Sequence, residues 1–202
     1  ERKTMIRKQI AEQGQALGAT AVVDEKLLDE VTGLVEWPVC LTGRFDEAFL
    51  EVPAQALISS MKEHQKYFHF VDDKGDILPL FLTVSNIISK DPSRVIAGNE
   101  RVIRPRLADA VFFFETDKKT TLESRNSALG KVVFQTKLGT VLDKTLRVAE
   151  LSTGIAGLIG ADSALTARAA TLSKADLNTD MVLEFSDLQG LMGHVYALND
   201  GE

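Results

Sequence analysis

The most positive stretch of this chain holds four arginines within thirteen residues and one acid, Glu100. The four are Arg94, Arg101, Arg104 and Arg106. An arginine guanidinium is a planar fork that can donate two parallel, charge-assisted hydrogen bonds to a phosphate. Three or four such contacts would supply the salt-dependent part of an affinity for RNA. This segment is therefore the candidate phosphate-binding site.

Two lysines extend the set of candidate RNA contacts, and a competing interpretation of the arginines stays open. Lys62 and Lys66 lie on the polar side of a predicted amphipathic helix. The whole chain carries a net charge of −6, so any attraction for RNA must come from a local cluster. In such an acidic chain the arginines could instead pair with carboxylates such as Asp109 and Glu115 and position the domain. Helix spacing does not decide between the two interpretations.

Few side chains could act as nucleophiles, bases or metal ligands. His64 and His69 flank Lys66, but both lie near the apolar stripe or strand, and we expect them to bond to backbone groups. Cys40 is expected to be a small core residue, and Trp37, the only tryptophan, to anchor packing at the sheet edge. No phosphate-binding loop or dinucleotide fingerprint occurs. We predict no catalytic residue and no metal site.

An amphipathic helix in residues 52–70 organises the first half of the chain. Pro53 fits its first turn, where a missing N–H would have had no partner. Leu57, Met61, His64 and Phe68 recur at helical spacing and form the predicted apolar face, and Ser59 is predicted on the polar, solvent-facing side. The end of this stretch runs into a predicted strand.

The other elements of the first half follow from start and stop signals. An opening helix should end at Gly18, and a second helix should start at Asp24 and end at Gly33. Strands are predicted in the run 35–43, at 67–71 and at 77–85, with a turn at 72–75 between the last two. The helix that carries the arginines is expected to begin at Gly98, with Pro105 limiting its regular part.

A charged stretch rich in Ser and Thr, residues 116–130, lacks apolar periodicity and marks the predicted domain boundary. The fold class is predicted to be α+β, with a mixed α/β domain at 1–118 and a small all-helical domain at 119–202. Asp162 should cap one helix of the second domain. Its inward-facing residues are predicted to be Leu138, Leu142, Leu146, Ala149, Leu165, Ala169, Leu172, Met181, Val182 and Phe185.

Several long strings resemble the beta subunit of the bacterial two-subunit-type glycyl-tRNA synthetase. They are VEWP, GRFDEAFLEVP and SMKEHQKYF, followed in order by TVSNI, GNERVIRPRLADAVFFFETD, KLGT and KADLNTDMVLEFSDLQGLMG. The resemblance covers nearly the whole chain, and Ala175 and His194 depart from the pattern. The chain opens without an initiator Met and stops at NDGE, so we expect an internal piece of a longer subunit, truncated within the helical domain.

The resemblance implies part of a glycine–tRNA ligase that does not itself activate glycine. ATP and magnesium are then expected in the alpha subunit, with no cofactor in this piece, and the implied partners are that alpha subunit and tRNA(Gly). The implied location is the cytoplasm, which fits a single cysteine and the absence of a long apolar run. Neither a membrane nor DNA is an expected partner.

Two finer likenesses leave alternative functions open. The first domain resembles the B3/B4 module of phenylalanyl-tRNA synthetase, which would imply an editing hydrolase, although no residue of that site can be matched. The second domain resembles the scaffold of HD-family phosphohydrolases, but Lys144 and residues 173–176 occupy the slots of the metal-binding histidines. A metal phosphohydrolase is therefore disfavoured, and Asp176 is expected to bond a helix end.

Overall fold

The computed structural model describes all residues, 1–202, and the chain forms two compact units, Glu1–Val111 and Phe112–Glu202. The first unit combines helices with one four-stranded sheet, as the predicted α+β class requires. Its elements are α1 (Arg2–Leu17), β1 (Thr20–Ala21), α2 (Glu25–Leu34), β2 (Val39–Arg44), a 3₁₀ helix (Glu47–Glu51), α3 (Ala54–Ser59), a π-helical turn (Ser60–His64), β3 (Phe68–Val71), β4 (Ile77–Ser85) and the long α4 (Pro92–Asp117), which continues into the second unit.

The sheet is antiparallel, with strand order β1-β3-β4-β2. Strands β3 and β4 form a hairpin whose turn contains Gly75 at φ 89°, a left-handed conformation that favours glycine. One face of the sheet packs on α1 and α2. The buried side chains of that core include Ile6, Ile10, Leu28, Phe68, Phe70 and Leu82.

Backbone groups at the exposed edge of β2 form hydrogen bonds with a side chain of α1. The Gln9 amide donates to the carbonyl of Pro38 at 3.0 Å and accepts from the Cys40 N–H at 2.8 Å, so it pairs with β2 much as a further strand would. Gly18 in the left-handed conformation ends α1, and the Asp24 carboxylate caps α2, as predicted. Helix α2 runs one residue beyond Gly33, the predicted end.

The central helix is shorter than its sequence period predicts. It starts directly after Pro53, and Leu57 and Met61 are buried as expected. The prediction was wrong for His64, which is exposed because the helix widens to a π turn and ends at residue 64. It was also wrong for Ser59, which is buried one turn after the buried Ala56.

Helix α4 is longer and more continuous than predicted. It begins at Pro92, not Gly98, because a proline after Asp91 suits the first helical turn as well as it suits a loop. It also continues through Pro105. Pro105 lies on the exposed side, so the carbonyl that loses its helical hydrogen bond can bond to water, while Ile103 and Leu107 are fully buried on the other side.

The second unit is mostly helical but contains a two-stranded hairpin, which corrects the all-helical prediction. After the end of α4 it comprises a 3₁₀ helix (Glu123–Lys131), β5 (Val133–Gln135), β6 (Gly139–Thr140), α5 (Val141–Ile159), α6 (Ser163–Leu172), a 3₁₀ helix (Ala175–Asn178), α7 (Asp180–Glu184), a 3₁₀ helix (Ser186–Leu188) and α8 (Leu191–Asp200). Asp162 caps α6 as predicted. None of the helices combines the length and the apolar composition that a membrane span requires.

The inward faces of the second unit agree with the predicted pattern only toward its end. Met181, Val182 and Phe185 are buried as expected. Leu172 is also buried as expected, whereas the expected inward positions Leu138, Leu146, Leu165 and Ala169 are exposed. Helix α5 instead buries Val141, Thr145 and Ala156, which lie on one side of it. The apolar residues of α5 are therefore spread over more of its surface than the one side that is buried.

Gly43 should be intolerant of any side chain. A Cβ there would overlap the ring of Phe81, which is fully buried and stacks on Tyr67 with centroids 4.6 Å apart. We expect Gly43→Ala to lower the free energy of unfolding by about 1–3 kcal/mol in a denaturant titration. Gly98→Ala is the control, because a Cβ at this helical position meets nothing within 4 Å. Equal stability of the two variants would contradict this packing.

Candidate functional site

Two of the predicted arginines lie together on the exposed side of α4. Arg101 and Arg104 are separated by one helical turn and, with Ala97 and Glu100, line a shallow cavity of about 260 Å³. Two hydrogen bonds made by neighbouring residues hold this part of the helix in place. The Tyr67 hydroxyl donates to the Asn99 side-chain oxygen at 2.5 Å, and the Arg44 N–H donates to the Glu100 carboxylate at 2.9 Å.

The competing interpretation, pairing with carboxylates, can be compared with the ion pairs of the chain. Arg94 lies 3.3 Å from Asp91, and the Glu115 carboxylate lies 2.9 Å from Lys118. Arg101, Arg104 and Arg106 form no ion pair within 4 Å anywhere in the 202 residues. Their guanidinium groups are therefore not neutralised by a neighbouring acid.

Arg106 is exposed but points away from the other two arginines. At about 100° of rotation per residue, it lies roughly 160° around the helix axis from Arg104, whereas Arg101 and Arg104 are roughly 60° apart. Arg94 lies close to Arg101 in this projection, two turns before it. The helix thus groups Arg94, Arg101 and Arg104 on one side and separates Arg106 from them.

The two candidate lysines each have a carboxylate partner. The Lys62 ammonium lies 2.7 Å from Asp24, and this hydrogen bond holds the pKa of the Asp24 carboxyl below its usual value. The Lys66 ammonium lies 2.9 Å from Glu30. Lys66 also has φ 58°, an uncommon value for a residue other than glycine, at the end of the π turn. Both lysines tie this turn to helix α2.

The histidines and the cysteine show little sign of catalytic activation. His69 is half-buried on β3, and burial, followed by the charge of Lys62, lowers the pKa of its imidazole, which is therefore neutral at pH 7. His64 is exposed. Cys40 is buried as expected, with its thiol against the carbonyl of Ile6.

Trp37 is exposed, contrary to the prediction that it packs at the sheet edge. The residue is 58% exposed. The backbone around it is fixed by Asn86, whose side-chain oxygen accepts from the N–H groups of Glu36 at 2.7 Å and Trp37 at 2.9 Å. Three more exposed apolar residues flank this junction, namely Leu34, Ile87 and Ile88. We call these four the Trp37 patch. The sequence signal that could have indicated this patch is Asn86. Its hydrogen bond to the Trp37 N–H joins residues 49 positions apart, which no local pattern reveals.

At the positions that correspond to phosphohydrolase metal ligands, Asp176 and Lys144 make contacts within the fold. The buried Asp176 carboxylate accepts from the N–H groups of Gly190 at 2.5 Å and Gly193 at 3.1 Å, at the start of α8, so the expected helix-end role is confirmed. The Lys144 ammonium lies 4.3 Å from the centre of the Phe134 ring. No group of three or more His, Cys, Asp or Glu side chains in the 202 residues is arranged to hold a metal ion.

Comparison with known proteins gives a match along the whole chain. A family model described as glycyl-tRNA synthetase beta subunit matches residues 1–202. The glycine–tRNA ligase beta subunits of Marinobacter nauticus and Chromohalobacter salexigens are 62% and 60% identical over 203 and 201 residues. These matches cover 100% of the chain but 29% of each relative. The chain thus spans less than a third of the length of these relatives.

The Cys40 thiol should be inert in the folded protein. Burial raises its pKa to about 12, so the thiol stays protonated at neutral and mildly alkaline pH and the reactive thiolate is gained only near pH 12. At pH 8 the thiolate fraction is on the order of a thousandfold below that of an ordinary cysteine. We expect iodoacetamide to modify Cys40 rapidly in urea and very slowly in buffer, as followed by mass spectrometry. Rapid modification of the native chain would show that Cys40 is accessible.

Proposed function

Because the chain belongs to the glycyl-tRNA synthetase beta subunit family, we propose that it contributes tRNA contacts and subunit assembly to a glycine–tRNA ligase. In this proposal the chain does not activate glycine. Activation with ATP and magnesium is carried out by an alpha subunit, the RNA partner is tRNA(Gly), and the enzyme works in the cytoplasm. The observation that carries the RNA part is the pair of unneutralised arginines on α4.

Electrostatics favours Arg101 and Arg104 as the principal phosphate contacts. A chain of net charge −6 repels RNA at long range, so a local surface with excess positive charge is needed for binding. Their guanidinium groups are exposed, lie one turn apart and have no carboxylate within 4 Å. The carboxylate of the one acid beside them, Glu100, already accepts the Arg44 N–H.

The remaining candidates take lesser places in the proposal. Arg94 lies on the same side of α4 but shares its charge with Asp91, and Arg106 lies on the other side. Lys62 and Lys66 would have to exchange their partners Asp24 and Glu30 for phosphates. A phosphate contact from either lysine would therefore add less binding free energy than a contact from an arginine without a carboxylate partner.

The Trp37 patch is the proposed contact for the alpha subunit. Tryptophan is enriched among residues that dominate the energy of protein interfaces. An exposed tryptophan on a backbone fixed by Asn86 loses little conformational freedom when a partner covers it. Aliphatic neighbours and the adjacent acid Glu36 suit an apolar protein surface better than a phosphate backbone.

The finer fold likenesses belong to the same proposal. The first unit is taken to be B3/B4-like and the second to be an HD-like scaffold without its metal. Asp176 is held by two backbone N–H groups and Lys144 lies over an aromatic ring, so neither supports the phosphohydrolase alternative. Editing of mischarged tRNA stays the alternative for the first unit, and a deacylation assay on mischarged tRNA tests it.

Arginine substitutions test the RNA contact in an intact synthetase that carries this sequence. We expect Arg101→Ala and Arg104→Ala each to weaken tRNA(Gly) binding and to flatten the slope of log affinity against log salt by roughly 0.7–0.9. The reason is that fewer counterions are released from the RNA on binding when one phosphate contact is lost. Arg106→Ala is the matched comparison on the other side of α4, and its effect should be smaller. Glycine-dependent ATP–pyrophosphate exchange should not change.

Thermal stability of each variant must be measured with its affinity. Variants that lose stability but bind tRNA with the original affinity and salt slope would make the arginines structural and contradict the proposal. An Arg106→Ala effect larger than those of Arg101→Ala and Arg104→Ala would move the RNA to the other side of the helix.

Truncation of Trp37 tests the assembly contact. We expect Trp37→Ala to weaken association of the beta and alpha subunits by about 2 kcal/mol, roughly thirtyfold, as measured by sedimentation or titration calorimetry. Phe112→Ala is the control, because this exposed aromatic residue lies outside the patch. If both variants assemble with the original affinity, the Trp37 patch is not the alpha-subunit contact.

A further inference from the structure

Helix α5 presents an apolar face to solvent in the second half of its length. Leu151, Ile155 and Leu158 are 67%, 47% and 88% exposed. They recur at i, i+4 and i+7, so they lie on one side of the helix. With Arg147, Glu150 and Gly154 they line an open groove of about 610 Å³. We call this groove the α5 groove.

The α5 groove lies on the side of the helix that faces away from its buried contacts. Thr145 and Ala156 are buried, and α6 packs along α5. At about 100° per residue, Leu151 and Leu158 lie roughly 120–160° around the axis from these two positions. A helix that is apolar on two opposite sides is normally enclosed on both. The described chain encloses only one.

Gly154 leaves room for another backbone to approach along the groove. Glycine in the middle of a helix costs stability relative to alanine, because it loses more backbone freedom on folding. Gly154 has no left-handed φ, and a Cβ there would meet nothing within 4 Å in the 202 residues. No contact of the described chain therefore requires glycine. In the groove, the missing side chain lets another backbone approach α5 closely.

We propose that the α5 groove is covered by a helix from the part of the beta-subunit polypeptide outside the matched region. More than two thirds of the length of each relative lies outside the match with this chain. A segment of the same polypeptide meets the groove at a high effective concentration. The lining is aliphatic and glycine-containing, without the aromatic anchors typical of contacts between separate proteins. This inference does not depend on the RNA contact of α4.

Thiol labelling in a full-length beta subunit that carries this sequence tests the proposal. Leu151→Cys and Leu158→Cys are made separately, and maleimide modification at each position is followed by peptide mass spectrometry. The reference is the same position in the urea-unfolded subunit. We expect labelling of the folded subunit alone, without the alpha subunit, to be slower by on the order of a hundredfold or more.

A glycine pair keeps the test decisive if a cysteine variant folds poorly. Gly98→Ala and Gly154→Ala each place a methyl group at a helical position that is open in these 202 residues. Under the proposal, Gly154→Ala lowers the thermal midpoint of the full-length subunit, because the methyl group meets the covering helix, whereas Gly98→Ala does not. A raised midpoint for both variants would overturn the proposal.

Three labelling results would also overturn it. Rapid labelling under every condition would mean that the groove is open. Labelling that slows only after addition of the alpha subunit would assign the groove to that subunit. Labelling that slows only at concentrations where sedimentation detects beta-subunit dimers would assign it to a second copy of the chain.

Discussion

The second unit depends on one buried carboxylate at the end of α4. Asp117 is 2% exposed, and its charge is compensated by Arg125 at 3.1 Å, by the N–H groups of Asp180 and Met181 at the start of α7, and by the Tyr196 hydroxyl at 2.9 Å. A buried charge is costly unless every partner is in place. Burial and the charge of Asp117 raise the pKa of Tyr196, which therefore keeps the proton it donates. One side chain thus fixes α4, a 3₁₀ helix, α7 and α8 together.

A similar constraint in the first unit sets which side of α4 faces outward. Asn99 and Glu100 bond to Tyr67 and to the Arg44 backbone, and these contacts fix the rotation of the helix about its axis. Rotation by one residue, about 100°, would carry Arg101 toward the buried side. The exposure of Arg101 and Arg104 is therefore set by these two hydrogen bonds together with the burial of Ile103 and Leu107 on the other side of the helix.

Local signals predicted the elements whose start and stop are encoded nearby. Gly18, Asp24 and the strand Ile77–Ser85 are examples, because caps, turns and alternation act within a few residues. The sequence did not indicate the exposure of Trp37 or the carboxylate partner of Lys66, since Asn86 and Glu30 lie far away in the chain. The arginine cluster was visible in the sequence. That Arg106 lies on a different side of the helix from the other arginines could be inferred only once the helix was known to continue through Pro105.

The distribution of partners explains how an acidic chain can present a positive surface. Lys62 and Lys66 each lie against a carboxylate, so their charges hold the π turn to α2 and contribute little to the outer field. Arg101 and Arg104 form no ion pair within 4 Å, so their charges contribute to the field on the exposed side of α4. Arginine also suits this place better than lysine, since its planar fork orients two hydrogen bonds toward one phosphate. The net charge of −6 therefore describes the chain but not the exposed side of α4.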